Sequence, residues 1–432
     1  MKKILFLSYY YPPSSGAGVQ RPLKLSKNLP QFGIDPIVIT VDPTKASYAG
    51  FDEHLLEEVP AQLRVYRTNT HEHYKYYKWL VKKNIPTAGF ANESNPSLLQ
   101  KIARFIRGNF YFPDPRKGWN ESAFQQAKKL ILEENIDTVF TTSPPHSTHL
   151  IGMRLKKELG VRWICDLIDP WTDIYYFKQL YHLPFALNIN KRMERQVLEQ
   201  ADALITCSYH FRNLFLTKTP LIKADDFKIL YYGYDEKNFE HRISQPSTTE
   251  FIITYTGTIA DIYYPQALFR AIKKITKTTD VPVKLRFVGL ASSGIQKLIQ
   301  ASGIESMTEF TGLVPHNDSL EYLLKSTVLL LIVPQNENNE GIIPGKIFEY
   351  FASRKPVISL ANPKGDVAQL ITDNQFGKSF AHEEEEEMYR YLLALVEAWK
   401  VNPNLDLPTS DLTRFESVYQ TKMLADIILE KN

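Results

Sequence analysis

Two apolar runs on either side of a short polar segment constrain the fold of this chain most. One run covers residues 328–333 and the other covers residues 357–360, and the segment between them contains Gly345 and Lys346. An apolar strand, a loop with a short helix and a second apolar strand are typical of a βαβ unit in a parallel sheet. Ligands of such sheets bind at the carboxyl ends of the strands. The pattern therefore predicts an α/β architecture and the place of a ligand site.

The side chains of this segment suit a nucleotide-sugar. Lys346 and Glu349 are three residues apart, so both point to one side of the predicted helix near its N-terminal end. A cation and the amides around Gly345 would meet a phosphate, whereas a carboxylate one turn later would accept hydrogen bonds from sugar hydroxyls. An amphipathic crossover helix with a surface lysine–glutamate pair is the alternative.

The same segment resembles the nucleotide-binding motif of the retaining glycosyltransferases of family 4, which have the GT-B fold. In that family the second of two spaced glutamates holds the ribose of the donor, and the resemblance assigns this role to Glu349. The first glutamate would fall at Gly341, where this chain has its glutamate one residue earlier, at Glu340. A loop that absorbs the shift would let Glu340 contact the sugar; a backbone amide is the alternative.

Length and composition indicate a folded protein of two domains. A chain of 432 residues is too long for one ordinary hydrophobic core. Of these residues, 44% are hydrophobic and 23% are charged, which is typical of a folded protein. A net charge of +3 is too small to indicate nucleic-acid binding. Two cysteines and the lack of any run near the ~20 apolar residues of a membrane span predict a cytoplasmic protein. No metal-ligand spacing is present, so we expect no metal and no cofactor besides a nucleoside diphosphate sugar as donor.

Strand and helix patterns alternate in two successive series. The first begins at the N-terminus, the second begins with the apolar run 251–255, and the alternation breaks over residues 209–248. We therefore predict an acceptor domain over 1–208, a donor domain over 209–411, and a helix within 412–432 that crosses back to the first domain. Two Rossmann-like domains facing across a cleft are the GT-B architecture that the resemblance implies.

Each series has a glycine loop after its first strand. In the first, Gly16 and Gly18 offer bare backbone to an anionic group at the start of a helix, and Arg21 would add charge. A tight turn with a solvated arginine is the alternative. In the second, Gly257 and Thr258 match the position where the family begins its donor site. No cation follows soon after that loop, so the diphosphate would depend on the lysine of the C-terminal segment, with Arg21 assisting.

Two segments at predicted strand ends of the first series carry candidate acceptor groups. His146 opens a helix, where it would donate to a donor-sugar hydroxyl or orient the acceptor. Asp169 begins an Asp-Pro-Trp turn, where it would bind an acceptor hydroxyl or act as its base. Both segments resemble family-4 counterparts. The alternatives are a helix cap with surface histidines, which we expect for His149, and an Asp-Pro turn beside a core tryptophan.

Basic and aromatic side chains alternate over residues 71–107. A helix of this composition would lie on an anionic membrane surface, which would suit a lipid-linked acceptor and a place at the inner face of the membrane. An amphipathic helix packed on its own domain is the alternative. No fold supports a nucleic-acid partner.

These features together predict a metal-independent, retaining glycosyltransferase of the hexosyltransferase type. It would move a sugar to a glycan or lipid-linked acceptor in surface polysaccharide synthesis. Two alternatives stay open: an epimerase of the same fold, which would act on the donor alone, and a non-catalytic nucleotide-binding partner of an active transferase.

Overall fold

The computed structural model of the protein describes residues 1–72, 97–240, 246–405, 407 and 410–430. The described residues form two compact units. The first contains the chain up to Gly233 and from Phe415 onward, and the second extends from Tyr234 to Arg414.

A parallel sheet is the framework of the first unit, and seven strands belong to it among the described residues. These strands are β1 (Lys2–Leu7), β2 (Ile34–Val41), β3 (Arg64–Thr68), β4 (Thr138–Thr142), β5 (Arg162–Asp166), β6 (Ala203–Thr206) and β7 (Phe227–Ile229). They lie in the order β3-β2-β1-β4-β5-β6-β7. Before Gly233, the described helices of the first unit are α1 (Ala17–Asn28), α2 (Leu98–Phe110), α3 (Asn120–Glu134), α4 (Ser147–Leu159), α5 (Tyr175–Lys178), α6 (Pro184–Gln200) and α7 (Tyr209–Leu216).

The second unit repeats this plan with six described strands. These are β8 (Phe251–Thr256), β9 (Val283–Val288), β10 (Thr308–Gly312), β11 (Val328–Ile332), β12 (Val357–Leu360) and β13 (Gly377–Phe380). They are parallel and lie in the order β10-β9-β8-β11-β12-β13. The helices are α8 (Gln266–Ile275), α9 (Ser293–Ser302), α10 (His316–Leu324), α11 (Lys346–Ala352), α12 (Asp366–Asp373) and α13 (Glu385–Val401).

The central strands form where the sequence is continuously apolar. Every residue of β11 is at most 1% exposed, and β12 beside it is buried throughout. Helices cover both faces of a parallel sheet, so a central strand has no side that needs polar residues. This explains why the two apolar runs flanking the polar segment correctly predicted neighbouring parallel strands.

The last helix, α14 (Ser417–Leu429), packs on the first unit. Leu424 and Ile428 share a buried cluster with Val19 and Leu23 of α1. The chain approaches α14 closely at Gly233, whose φ is +67° and where a Cβ would lie 3.1 Å from the carbonyl oxygen of Phe415. The prediction that the C-terminal helix returns to the first domain is confirmed.

The boundary between the units lies later than the predicted residue 208. The segment 209–233 contributes α7 and β7, and β7 pairs with β6 as the last strand of the first sheet. The alternation of strand and helix patterns is interrupted over residues 209–248 because β7 has three residues only and Lys228 breaks its apolar pattern. The second unit accordingly begins at Tyr234 rather than at 209.

Candidate functional site

The strand order defines a ligand crevice in each unit. The order reverses between β1 and β4 in the first sheet and between β8 and β11 in the second. Ligands of doubly wound sheets bind beyond the carboxyl ends of the strands at such a reversal. The loop after β1 contains Gly16 and the loop after β4 contains His146. Likewise, Gly257 follows β8 and Lys346 begins the helix after β11.

A tyrosine fixes α11 against the strand ends of the second unit. The hydroxyl of Tyr350 accepts a hydrogen bond from the backbone N–H of Thr256 at 3.1 Å and donates to the carbonyl oxygen of Leu330 at 3.2 Å. Tyr350 follows Lys346 by one helical turn, so the same anchor sets the position of the lysine. The sequence analysis missed Tyr350, although its spacing of four residues from Lys346 was a usable signal.

Lys346 is a partly buried cation at the end of β8. Its ammonium donates to the carbonyl oxygen of Thr256 and lies 3.9 Å from the centroid of the Tyr255 ring. Burial lowers the pKa of Lys346 to about 7, an effect that the charge of Glu349 opposes. A ring and a carbonyl stabilise the ammonium only in part. An anion bound beside Lys346 would therefore favour its charged form.

The glycine loop lies directly against this lysine. Gly257 is exposed with a φ of +94°, and a Cβ there would come within 3.3 Å of Nζ of Lys346. The Tyr255 hydroxyl donates to the carbonyl oxygen of Thr258 at 3.0 Å, which fixes the loop. The structure thus places Gly257 against Lys346, and a donor-binding role for Gly257, Thr258 and Lys346 stays a prediction.

Glu349 lies one turn further along α11 and contacts α10. Its Oε1 is 3.0 Å from Nε2 of His316, and the two side chains are 21% and 42% exposed. This contact orients the carboxylate while leaving it accessible to solvent. The pairing was not predicted, because His316 is 33 positions away from Glu349 in the chain.

Gly345 and Glu340 border this cluster. Gly345 is the N-cap of α11, so the helix begins one residue after it, at Lys346. Glu340 lies in a short 3-10 turn, and its Oε1 accepts a hydrogen bond from Asn362 at 3.1 Å. The contact with Asn362 ties Glu340 to the turn after β12. A sugar-binding role for Glu340 stays a prediction.

Arg21 does not have the predicted role of a phosphate-binding cation. Its guanidinium is 1% exposed and forms a bidentate ion pair with the fully buried Asp166 at 2.8 and 2.9 Å. It also donates to the carbonyl oxygens of Leu230 and Tyr231. The guanidinium is thereby committed to the core, where it links α1, β5 and the chain after β7. The assisting role for Arg21 is corrected on this ground.

The Gly16 and Gly18 loop keeps the geometry of a ligand-binding turn. Gly16 is exposed, has a φ of +101° and is the N-cap of α1. A Cβ at Gly18 would meet the ring of Tyr10 at 3.6 Å. The loop is therefore accessible, but the guanidinium expected beside it points into the protein.

His146 is buried in the first unit and stacks on Trp171. The two rings are 5.1 Å apart with an interplanar angle of 7°, and His146 is 8% exposed. Neither ring nitrogen has a hydrogen-bond partner among the described residues. Burial, with a contribution from the charge of Lys218, lowers the pKa of His146 to about 3. His146 is therefore neutral near pH 7, so it is available as a hydrogen-bonding group rather than as a cation.

His149 lies in the core and not at the surface as expected. Its Nδ1 contacts the hydroxyl of Thr141 at 2.9 Å and the thiol of Cys165 at 3.3 Å. Burial lowers the pKa of His149 well below its ordinary value. His149 therefore belongs to the packing between α4 and the sheet.

Asp169 follows β5 and is partly exposed. Burial of its carboxyl raises the pKa of Asp169 to about 6. Its charge in turn contributes to the raised pKa values of the nearby Tyr176 and Tyr232. A carboxyl with this pKa accepts a proton more readily than an ordinary aspartate at neutral pH, which suits a general base.

A buried network that the sequence analysis missed holds the Asp-Pro-Trp turn. The backbone N–H of Trp171 donates to the carboxylate of Glu194 at 3.0 Å, and its indole N–H donates to Asn190 at 3.1 Å. Lys218 pairs with Glu194 at 2.7 Å. Because Trp171 is 1% exposed and stacks on His146, it belongs to the core and positions that histidine.

Two further properties of the described residues concern metals and membranes. None of their His, Cys, Asp and Glu side chains forms a group of three or more that could hold a metal ion. In the part of the chain that the structure describes, no helix combines the length and apolar content needed to cross a bilayer.

Comparison with protein families identifies the chain. The family model described as Glycosyltransferase Family 4 matches residues 20–238, just over half of the 432 residues. The chain is a glycosyltransferase of this family. A second family model, described as Glycosyl transferases group 1, matches residues 236–406 of this glycosyltransferase. Among curated proteins, no sequence matches it significantly.

Solved structures show the fold of this glycosyltransferase. HepE from Anabaena, in complex with UDP, aligns over 99% of both chains with a TM-score of 0.62 and 14% identity. WaaG, a glycosyltransferase involved in lipopolysaccharide biosynthesis, aligns over 99% of this chain and 100% of its own, with a TM-score of 0.61 and 15% identity. A putative UDP-N-acetylglucosamine 2-epimerase from Listeria monocytogenes aligns over 99% and 96%, with a TM-score of 0.57 and 10% identity. The predicted GT-B fold with two Rossmann-like domains is confirmed.

Proposed function

We propose that this glycosyltransferase is a retaining, metal-independent enzyme of the hexosyltransferase type. It transfers a sugar from a nucleoside diphosphate sugar to a hydroxyl of a glycan or lipid-linked acceptor in surface polysaccharide synthesis, at the cytoplasmic face of the membrane. The observation that carries the proposal is the cluster in the second unit, where Lys346 lies against the exposed backbone of Gly257 one turn from Glu349.

In this proposal Lys346 neutralises the leaving diphosphate. Its pKa of about 7 means that the charged form is only partly populated near neutral pH. A diphosphate would raise that pKa, and charge that builds up on the leaving group during bond cleavage would be stabilised further. Gly257 allows the phosphates to approach because it places no side chain in front of the ammonium.

Glu349 holds the ribose. An ionised carboxylate accepts hydrogen bonds from two neighbouring hydroxyls, and such charge-assisted bonds are stronger than neutral ones. The contact of Oε1 with His316 at 3.0 Å fixes the orientation of the carboxylate before the donor arrives. Support for this role comes from the geometry of α11 and from the family resemblance of the segment.

The first unit binds the acceptor. Asp169, with a pKa of about 6, is mostly ionised at neutral pH and takes the proton of the attacking hydroxyl. The acceptor oxygen then bonds to the anomeric carbon, and the bond from that carbon to the diphosphate oxygen breaks. Retention of configuration requires that the new bond forms on the same face of the sugar from which the diphosphate leaves. The neutral ring of His146 hydrogen-bonds a sugar hydroxyl through one of its buried nitrogens.

The test is thermal unfolding in EDTA with UDP, GDP, ADP and their common sugar conjugates. Binding raises the melting temperature by mass action. We expect one diphosphate series to stabilise the wild type and not Glu349→Ala. Glu321→Ala, which removes an exposed glutamate of α10, is the matched control and should respond as the wild type does. If none of these nucleotides raised the melting temperature of the wild type, the result would contradict the proposal.

Incubation with the selected donor sugar separates the two alternatives. Conversion of the donor to an isomer without any acceptor would identify an epimerase. Tight nucleotide binding without turnover, with or without acceptor glycans and lipids, would identify a non-catalytic partner. Release of the nucleoside diphosphate that depends on an acceptor is the result that we expect.

A further inference from the structure

Helix α2 exposes its apolar side and buries its polar side. Its large apolar residues recur at helical spacing and are 37–74% exposed, namely Leu98, Leu99, Ile102, Phe105, Ile106 and Phe110. Arg104 and Asn109 are buried instead, with 4% and 1% exposure. A helix of a globular protein normally has the reverse arrangement, because burial of apolar area stabilises the fold. Among the described residues, the outward side of α2 therefore has little apolar contact.

Specific contacts fix this orientation. The side chain of Asn109 donates to the carbonyl oxygen of Tyr181 at 3.1 Å and accepts from the backbone N–H of Leu183 at 2.7 Å. Gly108 lies so close to the neighbouring chain that a Cβ would be 2.4 Å from the carbonyl oxygen of Leu180. Rotation of α2 would break these bonds and create a clash, so the apolar side remains outward.

The segment of the protein on which α2 packs extends the exposed apolar surface of this helix. Exposed apolar side chains continue at Tyr181, Leu183, Phe185 and Ile189, all between 37% and 49% exposed. The ring of Phe185 contacts that of Phe112 edge-to-face at 6.4 Å, just after the end of α2. We call these four residues, with the six apolar residues of α2, the α2 surface.

The exposed charges of the two segments that form the α2 surface have one sign. Exposed basic residues accompany it in the two fully described segments 97–110 and 175–195, namely Lys101, Lys178, Lys191, Arg192 and Arg195. Lys101 lies three residues from Leu98 and Arg192 three from Ile189, so these two share the helix sides of the apolar residues. The acidic residue of these segments, Glu194, is 1% exposed and paired with Lys218.

We propose that the α2 surface docks on a lipid bilayer that contains anionic headgroups. Apolar side chains would enter the boundary between headgroups and acyl chains, while the surrounding cations would attract the headgroup phosphates. A second copy of this chain fits less well, because a symmetric contact would bring the same cations face to face. The inference rests on the membrane location in the proposed function and deepens it, since it names the surface that would contact the bilayer.

The outward exposure of α2 also argues against one of the two sequence interpretations of this region. The part from Lys101 to Arg107 is described and is not an amphipathic helix whose apolar side packs on its own domain. The remaining part of the predicted membrane segment, residues 73–96, lies outside the described residues.

Co-sedimentation of the full chain with vesicles tests the proposal. The vesicles contain phosphatidylcholine alone or phosphatidylcholine mixed with phosphatidylglycerol. We expect binding to the mixed vesicles that weakens as salt is added, because salt screens the attraction of the basic residues. The triple variant Leu99→Gln, Ile102→Gln, Ile106→Gln should bind on the order of tenfold more weakly or worse, since it loses apolar contact.

A matched triple variant provides the control. Leu132→Gln, Leu221→Gln and Leu429→Gln change leucines that are 48–72% exposed outside the α2 surface, so vesicle binding should not change. The double variant Lys101→Gln, Arg192→Gln should bind about fivefold more weakly per charge removed. Thermal unfolding of every variant verifies that it is folded.

Three outcomes would overturn the proposal. The first is absence of wild-type binding to the mixed vesicles at low salt. The second is equal binding by the wild type and the Leu99, Ile102, Ile106 variant. The third is a stable wild-type dimer in sedimentation velocity that this variant converts to a monomer, which would identify the α2 surface as an interface between copies. Nucleotide-induced melting shifts are independent of all three outcomes, so failure here would remove the membrane location and leave the proposed sugar transfer intact.

Discussion

The two units share a strand order but treat the cation near their first glycine loop in opposite ways. In the first unit Arg21 is 1% exposed and neutralised by the buried Asp166. In the second unit Lys346 lies beside an exposed glycine loop, against a ring and a carbonyl oxygen. A buried ion pair is needed by the fold, whereas a partly accessible cation with a lowered pKa suits a ligand. The position of a cation relative to a glycine loop is thus insufficient to assign its role.

The largest stability effect should follow from removal of the buried cation. Arg21→Met would leave Asp166 charged and without its partner in the core, and breaking a buried pair in this way costs about 3–5 kcal/mol. We expect that loss in the free energy of unfolding, measured by urea denaturation. Arg195→Met, at an exposed position of α6, is the control. A loss below about 1 kcal/mol would remove the contrast between the units.

Lys346→Met should have the opposite effect to Arg21→Met, with a large loss of turnover and no loss of stability. Turnover of the selected donor should fall about 10²–10³-fold, the size of effect seen when a transition-state charge partner is removed. The folded pKa of about 7 is below the ordinary value of 10.5, so the wild-type lysine destabilises the folded state increasingly as pH falls from 10.5 towards 7. The variant should therefore be at least as stable as the wild type near neutral pH. Lys325→Met, at an exposed lysine, should leave both quantities unchanged.

A smaller and more selective effect is expected for the ribose-binding carboxylate. Glu349→Gln keeps the shape but removes the charge, so nucleoside diphosphate affinity should fall about 10–100-fold. Affinity for inorganic pyrophosphate, which has no ribose, should be unchanged in calorimetric titration. Equal losses for both ligands would assign Glu349 to the general electrostatics of the site instead of the ribose.

The smallest effect concerns pH dependence in the first unit. With a pKa of about 6, the ionised fraction of Asp169 increases roughly tenfold between pH 5 and pH 7, so kcat/KM should increase by the same factor if this carboxylate is the base. Asp169→Asn should lower kcat/KM and abolish this increase. A variant profile that still rises with an apparent pKa near 6 would show that another group titrates.

The sequence predicted those features that depend on local pattern. Strand β12 was predicted with its observed limits because its four residues form one buried run. Strand β3 was missed, since Arg64 and Arg67 interrupt its apolar pattern. The structure shows that Arg64 pairs with Asp35 and Glu134, contacts which no local pattern reveals.

The same distinction applies to the candidate site. Lys346 and Glu349 were placed on one helix side because their spacing is local. The role of Arg21 was misjudged because its partner, Asp166, is 145 positions away in the chain. The stacking of His146 on Trp171 and the network around Glu194 likewise depend on tertiary packing. For the same reason His149 was expected at the surface, although it is buried.

The central claim is that Lys346 meets the donor diphosphate, and proton uptake on binding tests it most directly. The nucleoside diphosphate selected by thermal unfolding would be titrated calorimetrically near pH 8.5, in buffers with different ionisation enthalpies. Before the nucleotide binds, Lys346 has a pKa of about 7 and is therefore mostly neutral at that pH. A bound diphosphate would restore its proton. We predict an uptake approaching about one proton per site in the wild type and none in Lys346→Met. Binding to the wild type without proton uptake, or equal uptake by the variant, would contradict the account.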